Sequence, residues 1–245
     1  MVEVKNLTKS FGKEGIFDVN LNIEYGKVCA IIGKSGSGKS LLLKNILGIV
    51  KPDMGEVCID GLNIHRAKDS EIKEIRKKFG VLFQNNALFD SMSVFENISL
   101  PILYNFPDYD MKKLNDEVLN ILSLLSLPDI RDKSVKQLSG GMQKRVAIAR
   151  SLITNPTLLF YDEPITGLDP QTGNKIIELI KNIHYKLEKT TVIITHDLRG
   201  FLDFVDCIVL LDNGRELFCG EKDEFLNFEN DIAKSYLKMA GYYGR

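Results

Sequence analysis

The sequence predicts an α/β protein organised on a buried parallel sheet, and three observations carry that prediction. Val28-Cys29-Ala30-Ile31-Ile32, Leu158-Leu159-Phe160-Tyr161 and Val192-Ile193-Ile194 are short uninterrupted apolar runs, as expected of strands covered on both faces. Each run stops at glycine or polar residues, and ligands bind at the carboxyl ends of strands in such sheets. Between the runs lie apolar stripes at helical spacing: Leu114, Val118, Ile121 and Leu125, then Ile176, Ile180, Ile183 and Leu187.

The 245 residues, 44% hydrophobic and 27% charged, can bury a sizeable core as one large domain or two small ones. A net charge of -1, without a basic stripe interleaved with aromatics, gives no reason to expect nucleic acid as a partner. No uncharged apolar run approaches the roughly 18 residues of a membrane span, and Met1-Val2-Glu3-Val4-Lys5 lacks a signal-peptide pattern, so a cytosolic chain is expected. Cys29, Cys58, Cys207 and Cys219 are scattered without C-x-x-C spacing, which points to buried reduced thiols. His65 and His184 stand alone and read as surface residues.

In order along the chain, residues 1 to 27 alternate in the manner of short antiparallel strands: Val2, Val4 and Leu7, then Phe17, Val19, Leu21 and Ile23, punctuated by Gly12, Gly15 and Gly26. Phe11, before the first turn, is either a hydrophobic plug or an exposed ring able to stack on a purine. After the Val28–Ile32 strand comes Gly33-Lys34-Ser35-Gly36-Ser37-Gly38-Lys39-Ser40, followed by Leu41 and further helix formers. Strand, glycine loop and helix form the context of a phosphate-binding loop. Its glycines aim successive N–H groups into one concavity, and the helix adds the positive end of its dipole. Lys39 then reaches the β- and γ-phosphates, and the Ser40 hydroxyl ligates Mg²⁺.

Pro52-Asp53-Met54-Gly55 reads as a turn, Glu56 to Asp60 as a strand, Glu71 to Lys78 as a charged surface helix, and Phe79 to Phe83 as a strand stopping at Gln84. Near a phosphate loop, Gln84 is a candidate contact to Mg²⁺ or water. From about Asn85 to Asn155 the texture turns helical, which marks an inserted subdomain, with Asp110 as an N-cap and Pro128 beyond a helix end. Within it, residues 87 to 98 carry many large apolar groups and form either a docking face or part of the subdomain's own core.

Leu138-Ser139-Gly140-Gly141-Met142 is a second glycine turn opening a helix. Ser139 has the character of an N-cap, and the turn is either that alone or an anion site lacking its cation, completed by another surface. Asp162 and Glu163, at the end of an apolar strand and stopped by Pro164, suit a water-mediated Mg²⁺ contact and a base for the attacking water. Gly167-Leu168-Asp169-Pro170 turns into the next helix, and His196 ends the Thr191–Thr195 strand, placed to sense a γ-phosphate. Cys207 to Leu211 and Glu216 to Cys219 read as a closing hairpin around Asn213-Gly214. The tail from about Glu221, with Phe225, Phe228, Tyr236, Leu237, Tyr242 and Tyr243, is short and helical in character.

The order phosphate loop, Gln84, Leu138-Ser139-Gly140-Gly141, Asp162-Glu163, Asp169 and His196 resembles the nucleotide-binding subunits of ABC transporters along essentially the whole chain. The resemblance implies a RecA-like P-loop NTPase core (about 1–84 and 156–220) with an antiparallel β subdomain, an inserted α-helical subdomain (about 85–155) and a short tail (about 221–245), together one domain. It implies ATP and Mg²⁺ as cofactors. It also implies a head-to-tail homodimer that sandwiches ATP between one subunit's Gly33–Leu41 stretch and the other's Ser139, Gly140 and Gly141, with Asp169 beside them. Phe11 becomes the adenine-stacking ring, and Glu163, His196, Lys39 and Gln84 the catalytic set. Such subunits sit peripherally on the cytoplasmic face of the inner membrane, beneath multispanning permeases. More narrowly, Leu82-Phe83-Gln84-Asn85-Asn86-Ala87-Leu88-Phe89, Ser93-Val94-Phe95-Glu96-Asn97-Ile98, Pro101 and Met142 are similar to the ATPases of Mla/Mce-type phospholipid transporters, which work with an Mce-domain protein. Asn85-Asn86 and Ile165 depart from that pattern without touching a catalytic group. Another cargo, such as an amino acid, is the alternative. A soluble DNA-repair or translation protein would need tandem cassettes or a long coiled coil, and neither is seen; intact Lys39, Asp162, Glu163 and His196 oppose a non-catalytic regulator.

Overall fold

Alternating apolar and polar residues at the start of the chain produce an antiparallel hairpin, β1 (Val2–Phe11) with β2 (Glu14–Ile23), in which Val2 faces Ile23 and Phe11 faces Glu14. The computed structural model describes residues 1–242; Tyr243, read above as part of the tail, lies outside the described residues. The expected inward set of β2 needs one correction. Ile16 is fully buried and Phe17 only half-buried, with the Arg215 guanidinium 5.6 Å from its ring. The cause is a register shift at Asp18, whose φ of 55° bulges the strand and moves the alternation by one residue.

On its other side β1 pairs with β4 (Met54–Ile59), which turns at Asp60-Gly61 into the short β5 (Leu62–Asn63), giving an antiparallel sheet of order β2-β1-β4-β5. Met54 and Gly55, expected in a turn, already belong to the strand, because the Asp53 N–H donates to the Thr8 carbonyl at 2.8 Å and starts the ladder early.

Contacts divide the chain into two compact units: Met1–Arg76 with the chain from Glu188 onward, and Lys77–Leu187. The first unit holds the hairpin sheet and a second one. In the latter, β3 (Val28–Ile32), buried at every residue, runs parallel to β8 (Thr190–Thr195) on one side and β9 (Cys207–Asp212) on the other. β10 (Arg215–Glu221) closes antiparallel onto β9 through Asn213-Gly214. Helix α1 (Lys39–Ile46) follows β3, and α2 (Asp69–Lys77) is an exposed, charged helix that buries only Ile75. The tail forms α7 (Lys222–Leu226) and α8 (Asp231–Met239), which bury Phe225, Ala233, Tyr236 and Leu237.

The second unit pairs β6 (Phe79–Leu82) parallel with β7 (Leu158–Asp162) and carries α3 (Val94–Asn105), α4 (Met111–Leu124), α5 (Gly140–Leu152) and α6 (Pro170–Leu187). α3 starts in a capping box of Ser93 and Glu96, and Asp110 caps α4 by accepting from the N–H groups of Lys112 and Lys113. α5 packs against β6 at Gly80, where a Cβ would lie 2.3 Å from the Ser151 carbonyl oxygen. The 87–98 run is split: Val94, Asn97 and Ile98 are buried whereas Phe89 is exposed.

Two histidines and three cysteines depart from expectation. His184 is buried, sharing the inward face of α6 with Ile176, Ile180 and Ile183, while Leu187 at the helix end is exposed. His65 is half-buried with Nε2 2.9 Å from the Asn45 carbonyl oxygen, and burial lowers its pKa. All four cysteines are free thiols, but only Cys29 is buried; Cys58 and Cys207 are half-buried and Cys219 is exposed, on a strand whose alternate residues face outward. No helix among the described residues is long and apolar enough to cross a membrane.

Candidate functional site

In the first unit, parallel pairing brings two candidate elements to one sheet edge. Ile32 lies opposite Thr195, so the glycine loop leaving β3 and His196 leaving β8 emerge side by side at the carboxyl ends of their strands. The loop is shaped by close packing. A Cβ on Gly33 would fall 2.3 Å from Ser37 Oγ and 2.4 Å from the Leu211 carbonyl oxygen; at Gly38, with φ 102°, it would fall 2.5 Å from Ile16 Cγ2. Only glycine lets the chain pass that close.

α1 begins at Gly38 without a side-chain cap, unlike α3 and α4, so its first N–H groups remain available to an anion. Lys39 is buried, and its ammonium donates to the carbonyls of Gly33 (2.7 Å) and Lys34 (3.0 Å), curled into the loop it would serve. Ser40 is exposed, and Ser37 Oγ is buried without a hydrogen-bond partner among the described residues. This donor set, N–H groups, an ammonium and hydroxyls with no acid among them, fits a phosphate chain. Among the described residues no group of three or more His, Cys, Asp or Glu could hold a metal, so a Mg²⁺ here would depend on phosphate oxygens for most of its ligands, as that ion commonly does.

Phe11 ends β1 with 61% of its surface exposed and Lys9 Nζ 5.3 Å from its ring centre, which rules out a hydrophobic plug and leaves a ring open to stacking. His196 is exposed, and the turn after it is stapled: Asp197 N–H donates to Thr195 Oγ1 at 3.0 Å, and Arg199 grips the Asp197 carboxylate. Burial works against that carboxylate, yet the Arg199 guanidinium holds its pKa below the ordinary value.

In the second unit the same geometry recurs. Leu82 lies opposite Tyr161, so Gln84 beyond β6 and the Asp162-Glu163 pair at the end of β7 leave neighbouring strands at the same edge. Both acids are more than 90% buried. Glu163 has φ 49°, a left-handed backbone unusual for this residue type, and Thr166 Oγ1 donates to its carboxylate at 3.0 Å. Ser139 caps α5, accepting from Met142 N–H at 3.4 Å, and Gly140 and Gly141 open that helix. Asp169 caps α6: it accepts from Thr172 N–H at 3.0 Å, and hydrogen bonding with Thr172 lowers its pKa.

Three residues escape the sequence reading, and a fourth, Asn97, enters it only as part of the 93–98 motif. Thr166 fixes Glu163 from three positions downstream. Asn97, fully buried, accepts from the Phe89 N–H at 2.8 Å and donates to the Ser93 carbonyl at 2.9 Å, holding the loop before α3. Lys144 and Arg150, both on α5, donate to carbonyls of the segment after β6. Lys144 carried a legible signal, since it falls on the helix face of Ala147, Ile148 and Ser151, all buried.

The ABC transporter family model matches residues 16–166, more than half of the chain, from within β2 to past Glu163. The chain is an ABC transporter ATP-binding subunit. Over 242 residues it is 39% identical to the methionine import ATP-binding protein MetN of Carboxydothermus hydrogenoformans, covering 97% of this chain and 71% of that one. It is 35% identical over 241 residues to the intermembrane phospholipid transport system ATP-binding protein MlaF of Haemophilus influenzae, covering 97% and 90% respectively. Its fold matches the dimeric structure of MJ0796, a bacterial ABC transporter cassette, with a TM-score of 0.81 and 36% identity over 91% of this chain and 99% of that one. A second structure of the same cassette, equally similar, is a dimeric post-hydrolysis state bound to ADP and Pi. The chain is therefore an ATPase of the ABC type that uses ATP with Mg²⁺, in a family whose cassettes act as dimers with membrane permease partners.

Proposed function

We propose that this chain is the ATPase of a transporter that moves phospholipid across the cell envelope, working as a head-to-tail homodimer on the cytoplasmic face of the inner membrane. In this reading residues 1–245 form one nucleotide-binding domain whose helical subdomain, about 85–155, meets a multispanning permease, with an Mce-domain lipid-binding protein as a further partner.

The roles follow from the chemistry of each group. The backbone of Gly33, Lys34, Ser35, Gly36, Ser37, Gly38, Lys39, Ser40 and Leu41 wraps the phosphates, Lys39 moves from its loop carbonyls to the β- and γ-phosphates, and Phe11 stacks on the adenine. Ser40, Gln84 and, through water, Asp162 would hold Mg²⁺, which would neutralise phosphate charge. Glu163, its carboxylate steadied by Thr166, orients a water and takes its proton. The water oxygen then bonds to the γ-phosphorus as the bond to the bridging oxygen breaks, giving ADP and phosphate. His196 senses the γ-phosphate, and Ser139, Gly140, Gly141 and Asp169 complete the partner's site.

Hydrolysis rests above all on the carboxylate pair buried at the end of β7, with Glu163 in a strained backbone and hydrogen-bonded in place. We expect Glu163→Gln to retain ATP binding and to slow hydrolysis at least ~10²-fold, as removal of a positioned base does. Turnover at the parent rate in that variant would reject the assignment.

The cargo reading rests on residues 82–101 with Met142, and on the similarity to MlaF. Similarity to MetN favours an amino acid as the second reading. Mass spectrometry of proteins and lipids that co-purify with the tagged Glu163→Gln chain from native membranes separates the two. A multispanning permease, an Mce-domain protein and enriched phospholipid support the first. A different permease with a soluble solute-binding protein and no lipid enrichment moves the cargo to the second.

A further inference from the structure

The turn that carries Gln84 is held from outside by α5. Lys144 is 2% exposed, and its ammonium donates to the Gln84 carbonyl at 3.2 Å, across 60 positions of sequence. Six residues on, the Arg150 guanidinium donates to the Asn86 carbonyl at 2.7 Å and to the Ala87 carbonyl at 2.6 Å. Asn86 and Ala87 both have left-handed backbones, with φ of 61° and 49°. Alanine rarely adopts that conformation and has no polar side chain to offset it, so the shape must be imposed by its surroundings.

Burying an ammonium is costly, and Lys144 meets part of that cost by donating to the Gln84 carbonyl. Because Leu82 lies opposite Tyr161, Lys144 grips the turn that leaves β6 at the same edge where Asp162 and Glu163 leave β7. A guanidinium fork spanning two consecutive carbonyls, for its part, fixes orientation as well as position.

We propose that Lys144 and Arg150 are positioning residues, a two-cation clamp on α5 that sets the Gln84–Ala87 turn in register with Asp162 and Glu163. The clamp acts through Gln84 and the acidic pair and so rests on the reading of those residues as ATP-hydrolysing machinery. Because α5 opens at the Ser139 turn, the clamp also joins that turn to the Gln84 segment through one rigid helix.

The test uses the full chain and four variants. Lys144→Met keeps the stem and removes the donor and the charge; Lys144→Gln restores a donor without charge. Arg150→Met removes the fork, and Arg150→Lys leaves one ammonium for two carbonyls. The readouts are steady-state ATPase kcat and KM, the Kd of a fluorescent ATP analogue, and the melting temperature. Both methionine variants should lose about tenfold in kcat, with KM and Kd within about twofold of the parent, because misplacement of catalytic groups slows the step without removing phosphate contacts. Lys144→Gln should return to within about threefold of the parent, and Arg150→Lys should fall between parent and Arg150→Met.

Parent-like kcat in both methionine variants, a loss confined to KM, or Lys144→Gln no better than Lys144→Met overturns the clamp. If the methionine variants fail to fold, Lys144→Gln and Arg150→Lys decide. A slowed Arg150→Lys at unchanged KM, with Lys144→Gln near the parent, supports the clamp; parent-like kcat in Arg150→Lys overturns it. Glu163→Gln assayed alongside separates the two levels. If it hydrolyses ATP like the parent, the site reading fails and the clamp with it. If it is inactive while the methionine variants turn over like the parent, only the clamp fails.

Discussion

The two glycine turns of this chain, Gly33–Ser40 and Leu138–Met142, each open a helix and yet are built in opposite ways. The first leaves α1 without a side-chain cap, places a buried lysine within the loop, and packs so tightly at Gly33 that a Cβ would strike the Leu211 carbonyl. The second caps α5 with Ser139 and has no lysine; an added Cβ has ordinary room at Gly140, 3.8 Å from Leu168 Cδ2, and at Gly141 meets a side chain, Thr172 Cγ2 at 2.5 Å, and no backbone. On the proposed reading the first encloses the phosphates by itself. The second presents a helix N-terminus without the cation that would hold an anion alone, as a site completed by another surface would.

Substitution at matching positions tests this contrast most severely. Gly33→Ala should destabilise the chain by about 1–3 kcal/mol through overpacking and abolish ATP binding, whereas Gly140→Ala should leave the melting temperature unchanged or raised. Thermal melts and nucleotide titration of the two variants check it, and equal effects would erase the distinction.

Next in size, Ser139→Arg should leave nucleotide binding by the monomer intact while preventing ATP-driven dimerisation. The capping bond it removes is long, so its cost to α5 should stay below about 1 kcal/mol. Light scattering with ATP present provides the measurement; a normal dimer would show that the second turn belongs to no shared site. The smallest effect is expected at Phe11, where replacement by alanine should raise KM for ATP roughly tenfold with kcat unchanged, the loss of one stacked ring. An unaltered KM would return Phe11 to the role of a surface residue.

The strand and helix framework was legible because period and punctuation agree. β3 and the apolar runs Leu158–Tyr161 and Val192–Ile194 are buried throughout, and α4 begins at Asp110, the cap the sequence predicts. Where single residues went wrong, the backbone had changed the period. Phe17 lost its inward place to Ile16 when Asp18 took a left-handed conformation, which no alternation rule anticipates in a non-glycine residue. His184 was misplaced because an isolated histidine was judged by type and not by its helix face, which it shares with Ile180.

At the candidate site, spacing revealed the motifs but not what holds them. Thr166, three residues after Glu163, fixes a carboxylate by a local bond that resembles any turn in sequence. Lys144 and Arg150 reach carbonyls some sixty positions away, and backbone acceptors carry no residue identity for a sequence to display. Phe11 is open between two roles on its own residue type; the family resemblance favours stacking, and its exposure removes the plug.

The most direct measurement is the mass of the Glu163→Gln chain in solution, by light scattering with and without ATP and Mg²⁺. The account predicts that the 27.6 kDa monomer doubles in mass only when ATP is present, because two phosphate loops and two Ser139 turns then share two nucleotides. A chain that binds ATP with its phosphate loop and remains a monomer at every concentration would contradict the shared site.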